Sequence, residues 1–198
     1  MIRIFTLFCK LNKISLSEHE WIEHSITKLQ VWKLSCPCCG SKSGQVRFAT
    51  YKRYLVSLVK NRMSTLELVI PRTYCSSCRH THALLPECLI PHGSYGLLTI
   101  LHILREYFLR TRTVEEICKE YGISHSTLYS WIKQLKASKR RWLGILCDSE
   151  QKTIAFLETL STDVLFQYCE TFRQSFMQKT ADTYFVGSYA WETKGSFT

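Results

Sequence analysis

The sequence lacks an apolar run that could cross a membrane. Its longest apolar stretches, around residues 84–91 and 96–104, fall far short of the roughly 20 residues that a spanning helix needs. Residues 1–8 are followed by lysines and by no small-residue cleavage site, which is not the pattern of a secretory signal. We therefore expect a cytoplasmic protein without membrane contact, whose cysteines stay reduced.

Acidic residues are scarce: the chain has 16 Asp+Glu against 26 Lys+Arg, and its formal net charge is +10. The excess is concentrated, because residues 33–90 carry nine basic and two acidic side chains, whereas residues 149–198 carry four basic and six acidic ones. A positive front half attracts polyanions, of which nucleic acid is the commonest. Charge alone leaves DNA, RNA and an anionic membrane surface as alternatives.

Catalytic patterns are missing as well. The chain has no glycine-rich phosphate loop and no nucleophile paired with a base, and its seven histidines are scattered. Its 45% apolar and 13% aromatic residues nevertheless suffice for folded cores in one or two domains. We expect a folded binding protein rather than an enzyme.

Four of the ten cysteines form two C-x2-C pairs, Cys36 with Cys39 and Cys75 with Cys78. Two intervening residues allow both sulfurs of a pair to face one point, and Gly40 supplies the positive φ that such a tight turn needs. Two facing pairs make the tetrahedral four-sulfur site that Zn²⁺ prefers, and four thiolates close its shell, so we predict one structural zinc. Buried cysteines with chance spacing, or a redox pair, are the alternatives.

Nearby residues leave the ligand set open. Cys38 lies inside the first pair, His80 and His82 follow the second, and Cys88 lies slightly beyond. We interpret the two histidines as exposed loop residues, with phosphate contact as an alternative role. The other cysteines are interpreted as small buried apolar residues: Cys9, Cys118, Cys147 and Cys169.

The residues between the cysteine pairs predict an antiparallel zinc ribbon. Residues 45–59 and 65–71 are rich in Val, Tyr, Phe, Leu and Ile, and a polar turn of Lys60, Asn61 and Arg62 separates them. A short helical pattern in residues 14–32 precedes the ribbon, and an amphipathic helix of about four turns, capped by Ser94, follows it.

Residues 113–136 predict two short helices joined by a tight turn. Thr113 and Glu116 make a capping box, Gly122 ends the first helix, and Ser124 caps a second that ends near Lys136. The expected inward positions are Ile117, Cys118, Tyr121, Ile123, Leu128 and Trp131.

This segment resembles the helix-turn-helix of bacterial transposases and resolvases, with a cysteine at position 118 where alanine is usual. The resemblance implies that the second helix lies in the major groove of double-stranded DNA. The implied DNA contacts are Ser124, His125, Ser126, Thr127, Tyr129, Ser130, Lys133, Lys136, Arg140 and Arg141. These include few of the residues that read bases bidentately, so we expect modest sequence preference.

Residues 33–138 as a whole resemble an uncharacterised family from bacterial mobile elements, often encoded beside a separate transposase. The match rests on the Cys-Pro-x-Cys-Gly turn, residues 70–78, residues 81–86 and the helix-turn-helix. The resemblance implies binding of transposon ends or nearby regulatory DNA. The 60 residues after the helix-turn-helix are too few for a ribonuclease-H-like nuclease, so we expect no catalytic domain in this chain, and the resemblance makes a separately encoded transposase a candidate partner.

We therefore expect an α+β fold with five parts: an N-terminal segment with a short helix (1–32), the zinc ribbon (33–90), the helix-turn-helix domain (91–138), a basic linker with two helices (139–178), and a tail (179–198) that is poorly ordered. The two late helices either complete the core, which we favour, or form a homodimer face. Two functional alternatives stand beside the mobile-element hypothesis: a transcription regulator, and a zinc-ribbon assembly module that contacts protein instead of DNA.

Overall fold

A computed structural model describes residues 1–5, 18–27, 29–42, 44–143, 150–179 and 188–190. The described residues form a mixed α and β fold, in agreement with the expected class, and none of their helices is long and apolar enough to cross a membrane. The elements run in this order: β1 (Ile2–Phe5), α1 (Glu18–Thr27), a 3-10 turn (Val31–Lys33), β2 (Gln45–Val59), β3 (Arg62–Cys75), β4 (Thr81–Pro86), α2 (Leu97–Leu109), α3 (Val114–Tyr121), α4 (His125–Leu143), α5 (Glu150–Thr159), α6 (Thr162–Phe172) and β5 (Ser188–Ala190).

A long antiparallel hairpin joins the two cysteine pairs. β2 and β3 are in register from Gln45 opposite Cys75 to Val59 opposite Arg62. The two turn residues, Lys60 and Asn61, have φ of 49° and 60°, as the tight turns that match strand twist require. The predicted hairpin is confirmed, although β3 is twice the predicted length because it continues from the turn to the second cysteine pair.

The sheet extends beyond the predicted ribbon. β4 pairs antiparallel with β3 on one side and parallel with β1 on the other, and β1 pairs parallel with β5, so the strand order is β2-β3-β4-β1-β5. β1 and β4 have no counterpart among the predicted elements. A strand of four residues in β1 gives little periodicity, and its parallel partner lies about 80 residues away along the chain.

Each face of the sheet carries its own hydrophobic cluster. Leu84 and Leu85 are consecutive in β4 and belong to different clusters, because successive side chains of a strand point to opposite faces. The smaller cluster contains Leu84 with residues of β1 and of the segment that precedes the first cysteine pair: Ile2, Ile4, Leu29, Val31 and Leu34.

The larger cluster joins the hairpin to the helices. Leu55 and Leu68 from the hairpin share it with Leu104 of α2 and Trp131 of α4. The core is therefore continuous across residue 90, the boundary predicted between ribbon and helix-turn-helix.

The start of α2 is organised by α1. Gly96, rather than the predicted Ser94, is the N-cap residue of α2, and it offers no side chain to cap the helix. Glu18 of α1 takes that role, because its Oε1 accepts a hydrogen bond from the backbone N–H of Leu98 at 3.1 Å. The carbonyl of Ser94 instead accepts a hydrogen bond from Val56 of β2 at 2.8 Å.

α4 is longer than predicted. It runs without interruption to Leu143, so residues 139–143 are helix and not a basic linker. Its last turns are anchored: Lys139 is buried, and its Nζ donates a hydrogen bond to Thr153 of α5 at 2.7 Å. Burial of the lysine stem against α5 explains why a sequence that resembles a solvated basic run continues the helix.

α5 and α6 complete the larger cluster. Phe156, Leu165 and Tyr168 are all buried in it, in accord with the favoured interpretation of these helices. α6 begins after Ser161, whose Oγ accepts from the N–H of Val164 at 3.3 Å, and it ends at Phe172. Most of the tail lies outside the described residues.

Candidate metal centre and nucleic-acid interface

The two cysteine pairs adopt the same backbone turn. In each, the first cysteine donates its N–H to the carbonyl five residues later, at 2.8 Å for Cys36 and 2.9 Å for Cys75. The carbonyl of that cysteine accepts from the N–H four residues later, which belongs to Gly40 in the first turn and to Arg79 in the second. These two residues have φ of 74° and 63°. The prediction that Gly40 supplies a positive φ is confirmed, and Arg79 occupies the same conformation without being glycine.

The matched turns bring four sulfurs together. The ligand atoms of Cys36, Cys39, Cys75 and Cys78 all lie within 4.8 Å of one another. The Cys36–Cys78 and Cys39–Cys75 sulfurs are 3.5 and 3.8 Å apart. Zinc–sulfur bonds of about 2.3 Å in a tetrahedron place sulfurs about 3.8 Å apart, so the donor set fits a four-thiolate zinc ion. We call these four residues the four-cysteine cluster.

The surroundings of the four-cysteine cluster favour thiolates unevenly. Hydrogen bonds from the backbone of Cys78 and Ser77 lower the pKa of Cys75 to about 6. A backbone hydrogen bond at His80 lowers the pKa of Cys78, but desolvation and the three neighbouring thiols outweigh it and raise that pKa to about 12. Negative charge on one sulfur thus opposes ionisation of the next, and a bound cation removes that opposition.

His82 is not the exposed loop residue that the sequence predicted. It lies in β4, opposite Thr73 of β3, and is only 7% exposed. Its Nε2 is 3.4 Å from the sulfur of Cys36. Desolvation, with smaller contributions from nearby positive groups, lowers the pKa of His82 to about 4, so the ring is neutral at physiological pH. In the tautomer protonated at Nε2, it donates a hydrogen bond to the Cys36 thiolate.

The other candidate ligands separate into two groups. Cys88 is buried in the larger hydrophobic cluster and is not among the grouped metal-ligating residues of the described chain. Cys38 and His80 are exposed, and the Cys38 sulfur is 3.6 Å from the His80 Nδ1. Cys118 and Cys169 are buried as predicted. Cys9 and Cys147 lie outside the described residues.

The turn between α3 and α4 has the predicted geometry. The Thr113 N–H donates to Glu116 Oε2 at 2.8 Å, and the Glu116 N–H donates to Thr113 Oγ1 at 3.3 Å, which completes the capping box. Gly122 ends α3 at φ 59° and ψ 34°, and Ser124 Oγ accepts from the Thr127 N–H at the start of α4. All six predicted inward side chains are buried: Ile117, Cys118, Tyr121, Ile123, Leu128 and Trp131.

The outer face of α4 carries most of the predicted contact residues. Three hydroxyls meet at its N-terminus, since Ser124 Oγ is 2.8 Å from Ser126 Oγ and 2.9 Å from Thr127 Oγ1. Exposed or half-exposed positions continue along the helix: His125, Tyr129, Ser130, Lys133, Lys136 and Arg140. α4 contains five basic residues and no acidic one.

Arg141 is placed differently. Its guanidinium donates to Tyr168 Oη at 3.1 Å and to Gln174 Oε1 at 2.6 Å, and it lies 5.9 Å from the ring centroid of Phe172. The side chain is therefore committed to the C-terminal helices.

Exposed aromatic side chains lie on the hairpin and in the 3-10 turn that precedes it, where the sequence predicted no exposed aromatic residues. Phe48 and Tyr54 are each 62% exposed, and Trp32 is 64% exposed. Phe48 stands at a bulge in β2, between Arg47 and Ala49. The signal in the sequence is the lack of polar alternation over residues 46–54, where apolar and aromatic side chains occur on both faces of the strand.

Comparisons with known proteins give one match. A family described as a domain of unknown function (DUF6431) matches residues 36–131, from the first cysteine of the four-cysteine cluster to the middle of α4. The match covers the hairpin and the α2–α4 block together. No curated protein and no solved structure matches the chain.

Proposed function

We propose that this chain is a DNA-binding protein of a mobile genetic element, in which a zinc ribbon supports a helix-turn-helix that contacts duplex DNA. The observation that carries the proposal is the α3–α4 unit: a capping box, a left-handed Gly122 and a buried inner face, with an exposed α4 surface that holds basic and hydroxyl side chains. Such a helix fits the major groove, and its N-terminal hydroxyls and N–H groups suit phosphate.

The charges on α3 and α4 determine which of the two helices faces the DNA. The exposed charged side chains of α3 are three acidic and one basic (Glu115, Glu116, Glu120 and Lys119), whereas those of α4 are all basic. Phosphates repel the first face and attract the second, so α4 lies in the groove while the glutamates face solvent. Lys133 and Lys136 supply charge along the groove, and Ser124 and Thr127 contact the backbone at the helix start.

Zinc has a structural role in this proposal. Cys36, Cys39, Cys75 and Cys78 would hold one Zn²⁺, which adds a cross-link between the ends of the β2–β3 hairpin. Because the hairpin shares its core with α2 and α4, the cross-link supports the frame on which α4 is mounted.

The mobile-element context rests on the resemblance of residues 33–138. The proposed targets are transposon ends, and the proposed partner is a separately encoded transposase that carries the catalytic domain. A transcription regulator built from the same parts is the nearest alternative. Footprinting separates the two: protection of terminal inverted repeats supports the mobile-element role, and protection confined to promoters supports a regulator.

Fluorescence anisotropy of random-sequence duplex DNA across a salt series tests DNA binding. We expect log affinity to fall linearly with log salt, and Lys133→Glu to lower affinity about tenfold and flatten the slope. Lys179→Glu, the same charge change at an exposed position after α6, is the matched control and should have little effect. Absence of measurable binding, or equal effects of the two variants, would overturn the proposal.

The exposed aromatic side chains of Phe48, Tyr54 and Trp32 favour a second candidate function, a zinc-dependent assembly module that docks on another protein. Exposed aromatic side chains are typical of interface centres. Phe48→Ser with Tyr54→Ser should then abolish binding to the partner protein, whereas Lys133→Glu should leave that binding intact. A loss of DNA binding in this double variant would instead place the hairpin on the DNA.

A further inference from the structure

Two side chains beside the four-cysteine cluster form, together with one cysteine of that cluster, a second group of metal-binding character. The ligand atoms of Cys38, Cys78 and His80 lie within 4.8 Å of one another. Cys38 and His80 are fully exposed, and Cys78 is half-buried. Neither of the two exposed residues is needed to complete the four-sulfur shell.

The separation of Cys38 and His80 fits a pair of metal ligands. The Cys38 sulfur and the His80 Nδ1 are 3.6 Å apart. A metal–sulfur bond of about 2.3 Å and a metal–nitrogen bond of about 2.0 Å, at a tetrahedral angle, place the two ligand atoms about 3.5 Å apart. The two residues reach this separation from opposite turns, 42 positions apart in the chain.

The matched backbone turns explain the placement. His80 accepts the N–H of Cys75 at its carbonyl, so it occupies in the second turn the position of Ser41 in the first. Cys38 likewise corresponds to Ser77. The Cys38–His80 pair is therefore pseudo-equivalent to the Ser77–Ser41 pair, whose hydroxyls are 3.1 Å apart, and Cys78 is grouped both with this pair and with the other three cysteines.

We propose that Cys38, His80 and a shared Cys78 thiolate form a second, solvent-exposed site for a thiophilic d10 cation such as Zn²⁺ or Cd²⁺. The Cys78 sulfur bridges the two ions, and water fills the open position of the outer one. Thiolate and imidazole ligands select soft and borderline ions over Mg²⁺ or Ca²⁺. Binding requires that Cys38 lose its proton to solvent. It also requires the His80 tautomer with a lone pair on Nδ1, so any hydrogen bond from Nδ1 to the Cys78 carbonyl, 3.0 Å away, is given up.

The outer ion should bind with lower affinity than the inner one. It has three protein ligands in place of four, its site is exposed to water, and it lies near another dication. It therefore leaves first on dilution or on mild chelation, and the chain holds two ions only when metal is plentiful. The second metal site does not involve the proposed DNA contacts on α4. A failure of DNA binding would therefore leave this proposal unaffected.

Native mass spectrometry of the full chain, titrated with Zn²⁺, tests the second site. We expect wild type to bind two ions, and Cys38→Ser and His80→Gln to bind one while retaining the thermal stability of the one-zinc protein. Cys118→Ala and His102→Gln, a buried cysteine and an exposed histidine away from the cluster, are controls that should still bind two ions.

Three outcomes would overturn the proposal. Wild type could stay at one ion under metal excess, or Cys38→Ser and His80→Gln could retain the second ion. A loss of the first ion in either variant would assign that residue to the four-cysteine cluster instead.

Discussion

The carboxylate of Glu18, in the first turn of α1, accepts a hydrogen bond from the backbone N–H of Leu98, in the first turn of α2. The hydroxyls of Ser57 and Thr99 donate to its other oxygen at 2.7 and 3.1 Å. One buried acid thus connects α1, the hairpin and the helical block. Burial opposes its negative charge more strongly than these hydrogen bonds favour it, and the pKa of Glu18 rises to about 7.

The first prediction concerns stability against pH. The folded chain holds the Glu18 proton up to about pH 7, whereas the unfolded chain releases it near its usual pKa of 4.5. This group therefore lowers the free energy of unfolding as pH rises from about 4.5 to 7, by about 3 kcal/mol in all, and adds no slope above that. Glu18→Gln keeps the acceptor for Leu98 and removes the slope.

Urea unfolding at pH 5 and pH 8 measures this effect. The free energy of unfolding of wild type minus that of Glu18→Gln should be larger at pH 5 than at pH 8. Glu158→Gln, at an exposed position of α5, is the control and should show no such change. An equal difference at both pH values would contradict the prediction.

A second prediction concerns Gly96. A Cβ placed there would overlap the Glu18 carboxylate, while the backbone conformation itself is ordinary. Gly96→Ala should therefore cost about 2 kcal/mol, through displacement of the carboxylate from the start of α2. In a Glu18→Ala background, the same change should cost far less. Additive effects in this double-mutant cycle, measured by denaturant unfolding, would rule out the direct clash.

Metal removal is the third prediction. Cys36→Ser should abolish high-affinity zinc binding and expose the backbone amides around both cysteine turns to hydrogen exchange. The α2–α4 block should keep most of its protection, because its core also includes buried side chains of α5 and α6, which belong to a different part of the chain from the cysteine turns. Exchange measured by mass spectrometry checks this. Cys118→Ala should retain the metal, and unfolding of the whole chain in Cys36→Ser would show that the cross-link supports the helices more than expected.

His82 gives the fourth prediction. Its hydrogen bond to the Cys36 sulfur orients and stabilises that thiolate without a bond to the metal. His82→Ala should therefore weaken zinc affinity about 10- to 100-fold, while the chain still binds the ion. Competition with a chromophoric chelator gives the affinity. Complete loss of the ion in His82→Ala would make His82 a ligand, and unchanged affinity would remove it from the centre.

Two adjacent arginines give the fifth prediction. Arg140 is exposed on α4, whereas Arg141 is bonded to Tyr168 and Gln174. Arg140→Ala should lower DNA affinity about threefold to tenfold and lower stability less than Arg141→Ala does. Arg141→Ala should instead lower stability by about 1–2 kcal/mol. Anisotropy should show the larger loss of DNA affinity in Arg140→Ala, and thermal unfolding should show the larger loss of stability in Arg141→Ala. Equal effects of the two variants in both measurements would contradict the prediction.

Local signals in the sequence were sufficient for several parts of the fold. The capping box at Thr113, the left-handed Gly122 and the turn at Lys60 each depend on a few neighbouring residues, and all three are confirmed. The cysteine spacing likewise identified the four sulfurs that meet. These features need no knowledge of distant parts of the chain.

Long-range pairing was not visible in the same way. β1 joins the sheet through a parallel partner far along the chain, and Glu18 is buried only because α1 packs where α2 begins. His82 looked like a loop residue because β4 has no alternating pattern of its own, and its strand is defined by β3 and β1 on either side. Each error came from a residue whose environment is made by a different segment.

The length of α4 has a mechanical consequence. Its 19 residues make a rod about 28 Å long. The front of the rod presents the residues proposed to enter the groove, and the rear is fixed by Lys139 to α5 and by Arg141 to the segment around α6. Because a helix bends little over five turns, the orientation of the front depends on the attachments at the rear together with Leu128 and Trp131, which are buried in the larger hydrophobic cluster. A protein that binds α5 and α6 would therefore change the orientation of the N-terminal end of α4 without contacting DNA.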